Sequence, residues 1–134
     1  MTITELQDNI LTPYFNNVSD IYFGDAVYHF NTSEVDYDSV VFSLQTTEVS
    51  EYDITYKYIV TYADLMNFQT DNEFNIFDNG LHKLEKAFNQ LSLRSDLTLV
   101  YNHIYTPFKQ KFSDTLAGWQ VSVEIKVDNP IECE

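Results

Sequence analysis

Apolar residues recur in two rhythms along the chain. Ile3, Leu6, Ile10 and Tyr14 repeat at intervals of three and four behind a Thr2/Glu5 pair with capping-box spacing, which predicts a first helix over about residues 3–17. Pro13 lies inside that pattern and lacks a backbone donor, so a kink or early stop is expected there, with Asn16 and Asn17 suited to the exit. Phe74, Phe77, Leu81, Leu84, Phe88 and Leu91 follow alternating steps of three and four and predict a long helix, capped by Asp71 or Asn72, with all six on one buried face. Gly80 weakens its middle by about 1 kcal/mol relative to alanine.

The other rhythm has a period of two. Val40, Phe42 and Leu44 alternate with Val41, Ser43 and Gln45, and Ile54, Tyr56, Tyr58, Val60 and Tyr62 alternate with Thr55, Lys57, Ile59 and Thr61, predicting an antiparallel hairpin. Leu97, Leu99, Tyr101, His103 and Tyr105 predict a further strand, and Trp119, Val121, Val123, Ile125 and Val127 the cleanest one. Residues 21–30 read as one strand or as two fragments around Gly24. Residues 106–118, with Pro107, Phe108, Phe112 and Leu116, read as an extended loop whose aromatic side chains must dock on their own sheet or on a neighbouring subunit. The elements predict a single α+β domain over 1–134: an antiparallel sheet of about five strands packed on one long helix plus an N-terminal helix.

Charge narrows the partners. The net charge is −14, and residues 1–80 carry 14 acids against the single Lys57, whereas residues 81–134 carry 7 acids against 6 bases. No basic stripe exists to neutralise phosphates, so nucleic-acid binding is not expected. No apolar run approaches the roughly 18 residues of a membrane span, and Met1–Asp8 lacks the basic start and cleavage site of a secretory signal, so a soluble chain made in a cytoplasm and beginning at Met1 is expected. Cys133 is the sole cysteine and can form no internal disulfide.

Candidate chemistry is sparse. The chain has no Gly-rich phosphate loop, paired-cysteine motif, zinc-ligand spacing or nucleophile elbow, so no catalytic residue, cofactor or metal is expected, and the protein does not read as an enzyme. His29, His82 and His103 fall one per element. Glu34, Asp36 and Asp38 alternate but lack the glycine and distal glutamate of a calcium loop. With Glu48, Glu51 and Asp53 they read as an acidic surface. Ten Tyr, ten Phe and Trp119 exceed what a small core obviously requires, so Tyr62, Phe68, Phe108, Phe112 and Trp119 are expected to serve partly in subunit contacts.

The stretch Phe108 to Trp119, with phenylalanines four apart, then Asp114, Leu116 and Ala117-Gly118-Trp119, a strand and an Asn129-Pro130-x-x-Cys133 end, resembles small neck and tail-completion proteins of tailed bacteriophages over about residues 71–133. The resemblance implies a structural virion protein, a homo-oligomeric ring at the head-to-tail connector or a tail terminator capping the tail tube. Its partners would be other neck, portal or tail proteins, with DNA passing without specific binding and no membrane contact. Phe108, Phe112, Trp119, Lys109 and Lys111 would then form the oligomer interface, and Glu34, Asp36, Asp38, Glu48, Glu51 and Asp53 would line or flank the channel. Two other readings stay open: an acidic inhibitor or immunity-type protein using those carboxylates to imitate a phosphate backbone, and a pocket protein with His103, Tyr101 and Tyr105 around an apolar ligand.

Overall fold

The computed structural model describes residues 1–32, 34–101 and 104–129. The expected roles of His103 and Cys133 therefore lie outside the described residues. The chain folds as α+β, with a six-stranded, mostly antiparallel sheet, one long helix over Glu73–Leu91 and an N-terminal helix.

Three long strands form the centre of the sheet. β2 (Ser39–Val49) and β3 (Asp53–Leu65) make the predicted hairpin, and β3 pairs along its whole length with β6 (Thr115–Asp128), from Asp53↔Asp128 to Leu65↔Leu116. β4 (Leu97–Tyr101) and β5 (Thr106–Lys111) divide the far edge of β6 between them. At the other end β1 (Asp20–Phe23) runs parallel to Ser39–Phe42 of β2.

One face of this sheet carries the main core. Val40, Phe42, Ile54, Tyr56, Tyr58, Val60 and Tyr62 meet Val121, Val123, Ile125 and Val127, and all of them are covered by Leu6, Ile10, Leu11 and Phe15 of the first helix and by Ile76, Leu84, Ala87, Phe88 and Leu91 of the long one. Phe15 packs edge-on against Phe42 and Phe88, at 5.1 and 5.6 Å between centroids, geometry that adds to area burial. Much of the aromatic surplus is thus spent inside; Tyr62, expected at an interface, is fully buried. The opposite face holds a smaller cluster of Phe30, Val41, Ala63 and Leu116 at one end. Farther along that face, Lys57 bridges Glu48 at 2.8 Å and Glu124 at 3.5 Å.

Local chemistry explains where the elements depart from expectation. The first helix is capped by the Thr2 hydroxyl, which accepts from the Glu5 N–H, but it widens to π-helix over Leu6–Leu11 and ends in an α-turn over Thr12–Tyr14. The wide turns lie just ahead of Pro13, where a regular α-helix would drive the proline ring against the carbonyl of Asn9. Residues 21–30 split: β1 ends, and Asp25 caps a short helix over Ala26–Phe30 by accepting from the Tyr28 N–H at 3.3 Å.

Residues 106–118 are not an extended loop. They form β5, a tight turn in which the Phe112 N–H donates to the Asp114 carbonyl at 2.8 Å, and the start of β6. Pro107 is tolerated because β5 pairs only with β6, leaving an edge where a missing donor costs no ladder bond.

Candidate functional site

The long helix is fixed to the sheet by a buried ionic node. Asp38, 7% exposed, accepts from the Tyr62 hydroxyl at 2.7 Å, from Lys83 Nζ at 2.5 Å and from the Ser19 N–H at 3.2 Å. Burial alone would raise its pKa, but the hydrogen bonds from Lys83 and Tyr62, the lysine charge and the Ser19 amide outweigh burial and hold it below the usual carboxylate range. Burial, and then the carboxylate of Asp38, push the Tyr62 phenol upward. Asp64 is raised by burial, reinforced by the charge of Asp38. One residue from the long helix, one from β3 and one from the entry to β2 are thereby tied at a single point, the arrangement of a structural pin.

Gly80 sets how the helix lies over that pin. A Cβ at Gly80 would come within 2.5 Å of the Tyr62 ring, so the backbone approaches the sheet where only glycine fits. From the other side Gly118 sits against Tyr62, where a Cβ would fall 1.6 Å from the Tyr62 carbonyl oxygen. The close approach at Gly80 selects the buried line Ile76, Gly80, Leu84, Ala87, Phe88 and Leu91. The apolar stripe read from the sequence is wider than this contact, and its flank rolls outward: Phe74 is 74% exposed and Leu81 37%.

That flank continues as an aromatic ridge across to the sheet. Phe74 lies 6.1 Å from Phe77, Phe77 lies 5.0 Å from Trp119, and Trp119 lies 6.0 Å from Tyr105, centroid to centroid. The ridge is held rigid by its polar ends. Trp119 Nε1 donates to the Phe77 carbonyl at 2.8 Å, and the Tyr105 hydroxyl donates to Glu85 at 2.9 Å. Lys109 and Glu73 form a partly exposed ion pair at its rim, at 3.6 Å.

The sheet separates the residues expected to form one interface. Trp119 and Lys109 project to the helix-covered face, Lys109 reaching Glu73, whereas Phe108 and Phe112 join Phe30 and Leu116 on the other face. Phe112 lies 5.3 Å from Phe30, so docking on its own sheet accounts for part of its surface. Lys111 is exposed at the end of β5.

The six acids do not form one wall. Glu34 and Asp36 are exposed ahead of β2, while Glu48, Glu51 and Asp53 cluster at the far hairpin end, about 30 Å away along a strand rising roughly 3.4 Å per residue. Asp38 is corrected outright, since it is a buried partner of Lys83 and no surface charge. No motif or spacing in the sequence marks Lys83 on the long helix as the partner of Asp38. Only the fold brings the acid ahead of β2 and the lysine on the helix together.

A second polar cluster joins Asp20, Ser39 and His29. The Asp20 carboxylate accepts from the Ser39 hydroxyl at 2.7 Å and lies 2.6 Å from His29 Nε2, while the imidazole stacks on Tyr22 at 4.1 Å. The carboxylate sits between hydroxyl and imidazole, whereas a nucleophile relay needs the imidazole in the middle. Its geometry anchors the short helix over Ala26–Phe30 to β1 and β2. Among the described residues no group of three or more His, Cys, Asp or Glu side chains is arranged to hold a metal ion, and no helix is long and apolar enough to cross a membrane.

No family model and no curated protein matches the chain. A solved structure to which it is similar is the core region of PilO from the type IV pilus system of Pseudomonas aeruginosa, at 10% identity and a TM-score of 0.35, covering 83% of this chain and 99% of that one. This finding corrects the phage reading: the structural likeness is to a pilus-system protein, and the virion, neck and tail-terminator assignments drawn from Phe108–Trp119 are withdrawn. At that identity and TM-score the PilO likeness carries neither function nor partners to this chain, and no family is assigned.

Proposed function

We propose that this chain is a non-catalytic structural subunit that associates with further copies of itself through the ridge of Phe74, Phe77, Leu81, Tyr105 and Trp119. The observation that carries the proposal is the continuity of the ridge, with Phe74 three-quarters exposed at its head and each aromatic in contact range of the next. Rigid aromatic surface that lies on a helix flank and is rimmed by ions is the composition of an interface core rather than of ordinary solvated surface. Completing the burial of one phenylalanine contributes on the order of 2 kcal/mol, and a symmetric contact counts each residue twice.

The charge distribution favours this face over others. Leu81, Tyr105 and Trp119 of the ridge lie in the nearly balanced part of the chain, with 7 acids against 6 bases after residue 80, and Phe74 and Phe77 just ahead of it. The remaining acids repel at long range, but at physiological salt the Debye length is about 8 Å, so that repulsion is largely screened. Association should therefore strengthen with salt.

Trp119, the only tryptophan, reports directly on the ridge. Its accessibility to acrylamide should fall as protein concentration rises from about 1 µM to hundreds of µM, a range that spans weak to moderate association. The Phe74→Ser variant, altered at an exposed position, should fold normally and lose that concentration dependence. Equal quenching at all concentrations in the unaltered protein would refute the proposal.

A further inference from the structure

We propose that the free edge of β2 accepts an extended, cationic segment of a different protein as an added strand. β1 covers only Ser39–Phe42, after which its chain leaves the sheet: the Gly24 N–H donates to the Phe42 carbonyl at 3.0 Å, the Ser43 hydroxyl donates to the Gly24 carbonyl at 2.7 Å, and Asp25 starts the short helix. β2 itself continues to Val49, paired with β3 on one side only. Among the described residues nothing pairs with the outer edge of Ser43–Val49, and every residue from Leu44 onward is exposed. Seven residues at about 3.3 Å each make a full-length docking edge.

Where β1 stops, the step down to β2 leaves a notch of about 400 Å³ lined by Gln7, Phe23, Asp25, Phe42, Leu44 and Gln45. Phe23 and Phe42 stack at 5.3 Å to form its apolar floor. An edge supplying main-chain bonds beside a pocket for a side chain is the arrangement by which sheets capture extended peptides. On the far edge β4 spans only 5 residues, Leu97–Tyr101, and β5 is defended against this. β5 carries Pro107, Lys109 and Lys111, which discourage strand addition, whereas Ser43–Val49 has neither proline nor lysine and its one charge, Glu48, is bound by Lys57. A bulge between Leu44 and Thr46 is the sole irregularity, and it divides the edge into a short segment at the notch and a longer one beyond.

Charge selects the occupant. Asp25 on the notch rim, Asp8 next to Gln7 and Glu51 just past Val49 are all exposed, and the first 80 residues hold 14 acids against one lysine. A second copy would bring the same surplus of acid, so the complementary strand is a basic one from another protein, with an apolar side chain for the notch and lysine or arginine at alternate positions.

Three blocked octapeptides test this in amide-resolved NMR titrations: alternating Val/Lys, alternating Val/Glu, and the Val/Lys sequence N-methylated at alternate amides. The Val/Lys peptide should shift and protect amides of residues 43–49 and bind at least ten-fold more tightly than either control. Thr47→Pro should weaken it at least ten-fold while the amide spectrum elsewhere stays that of the folded protein, and the N-methylated peptide gives the same reading without any variant. Equal binding of the acidic peptide, shifts confined to the Phe74–Trp119 ridge, no binding at millimolar peptide, or protection of 43–49 that grows with protein concentration alone would each overturn the proposal. The last outcome would instead assign the edge to a second copy.

Discussion

Replacing Lys83 by methionine isolates what the buried node contributes. Methionine keeps the apolar stem and removes the ammonium that lies 2.5 Å from Asp38, leaving a carboxylate 7% exposed with only the Tyr62 hydroxyl and the Ser19 amide. Breaking a fully buried ion pair costs about 3–5 kcal/mol, but Lys83 is 28% exposed and water screens part of the interaction, so a loss of about 2–3 kcal/mol at pH 7 follows. With a urea m-value of about 2 kcal/mol/M for a chain of this size, the unfolding midpoint should drop by about 1–1.5 M. The pH dependence gives the mechanism. In the unaltered protein Asp38 titrates below its unfolded value, so its contribution is present above about pH 4 and is lost as pH falls through the folded pKa. In the variant, burial without the lysine raises that pKa, and protonation relieves the stranded charge. The gap between the two proteins must therefore narrow on acidification below about pH 4. A midpoint shift under about 0.2 M at pH 7, or a gap that widens with acid, would refute the reasoning.

Other substitutions follow from the same packing. Gly80→Ala should destabilise by about 1–3 kcal/mol in thermal or urea unfolding, the reverse of helix propensity, because the new methyl meets the Tyr62 ring and the bond to Asp38 prevents that ring from swinging aside; a gain in stability would show the helix lies farther from the sheet. Thr61 is 2% exposed and its hydroxyl has no partner among the described residues, so Thr61→Val should be neutral or stabilising by up to about 1 kcal/mol, and a loss above that would reveal a hidden hydrogen bond. Tyr37, its pKa raised to about 12 by burial and by Asp114 and Asp20, should stay protonated up to about pH 11, so Tyr37→Phe should leave the alkaline absorbance titration unchanged below that pH and remove amplitude only above it; a loss of amplitude at lower pH would refute this.

Period-two alternation exposed the strands well because half-buried strands write their burial directly into sequence. Ile54 to Tyr62 and Val121 to Val127 fall on the core face as expected. Two elements escaped for local reasons. β5 is an edge strand of Pro107, Lys109 and Lys111, so it carries little alternation and reads as loop, and three of the five residues of the short helix over Ala26–Phe30, Val27, Tyr28 and Phe30, favour strands, its start marked only by Asp25. The long helix was legible but its roll was not. Six apolar residues defined a stripe, and the contact at Gly80 with Tyr62 decided which edge of the stripe would face water. The candidate site depends on that roll, which is why Phe74 was assigned to the core and the ridge was not anticipated. Aromatic abundance did point to surface contacts, yet it nominated Phe108 and Phe112, whose positions opposite Phe30 only the hairpin reveals.

Sedimentation equilibrium of the unaltered protein and of Phe74→Ser, at low and physiological salt, tests the self-association most directly. The account predicts masses at multiples of the 15.7 kDa chain that rise with concentration and with salt for the unaltered protein, and a single 15.7 kDa species for the variant. A 15.7 kDa monomer for both proteins at every concentration up to hundreds of µM, or equal association of the two, would contradict it.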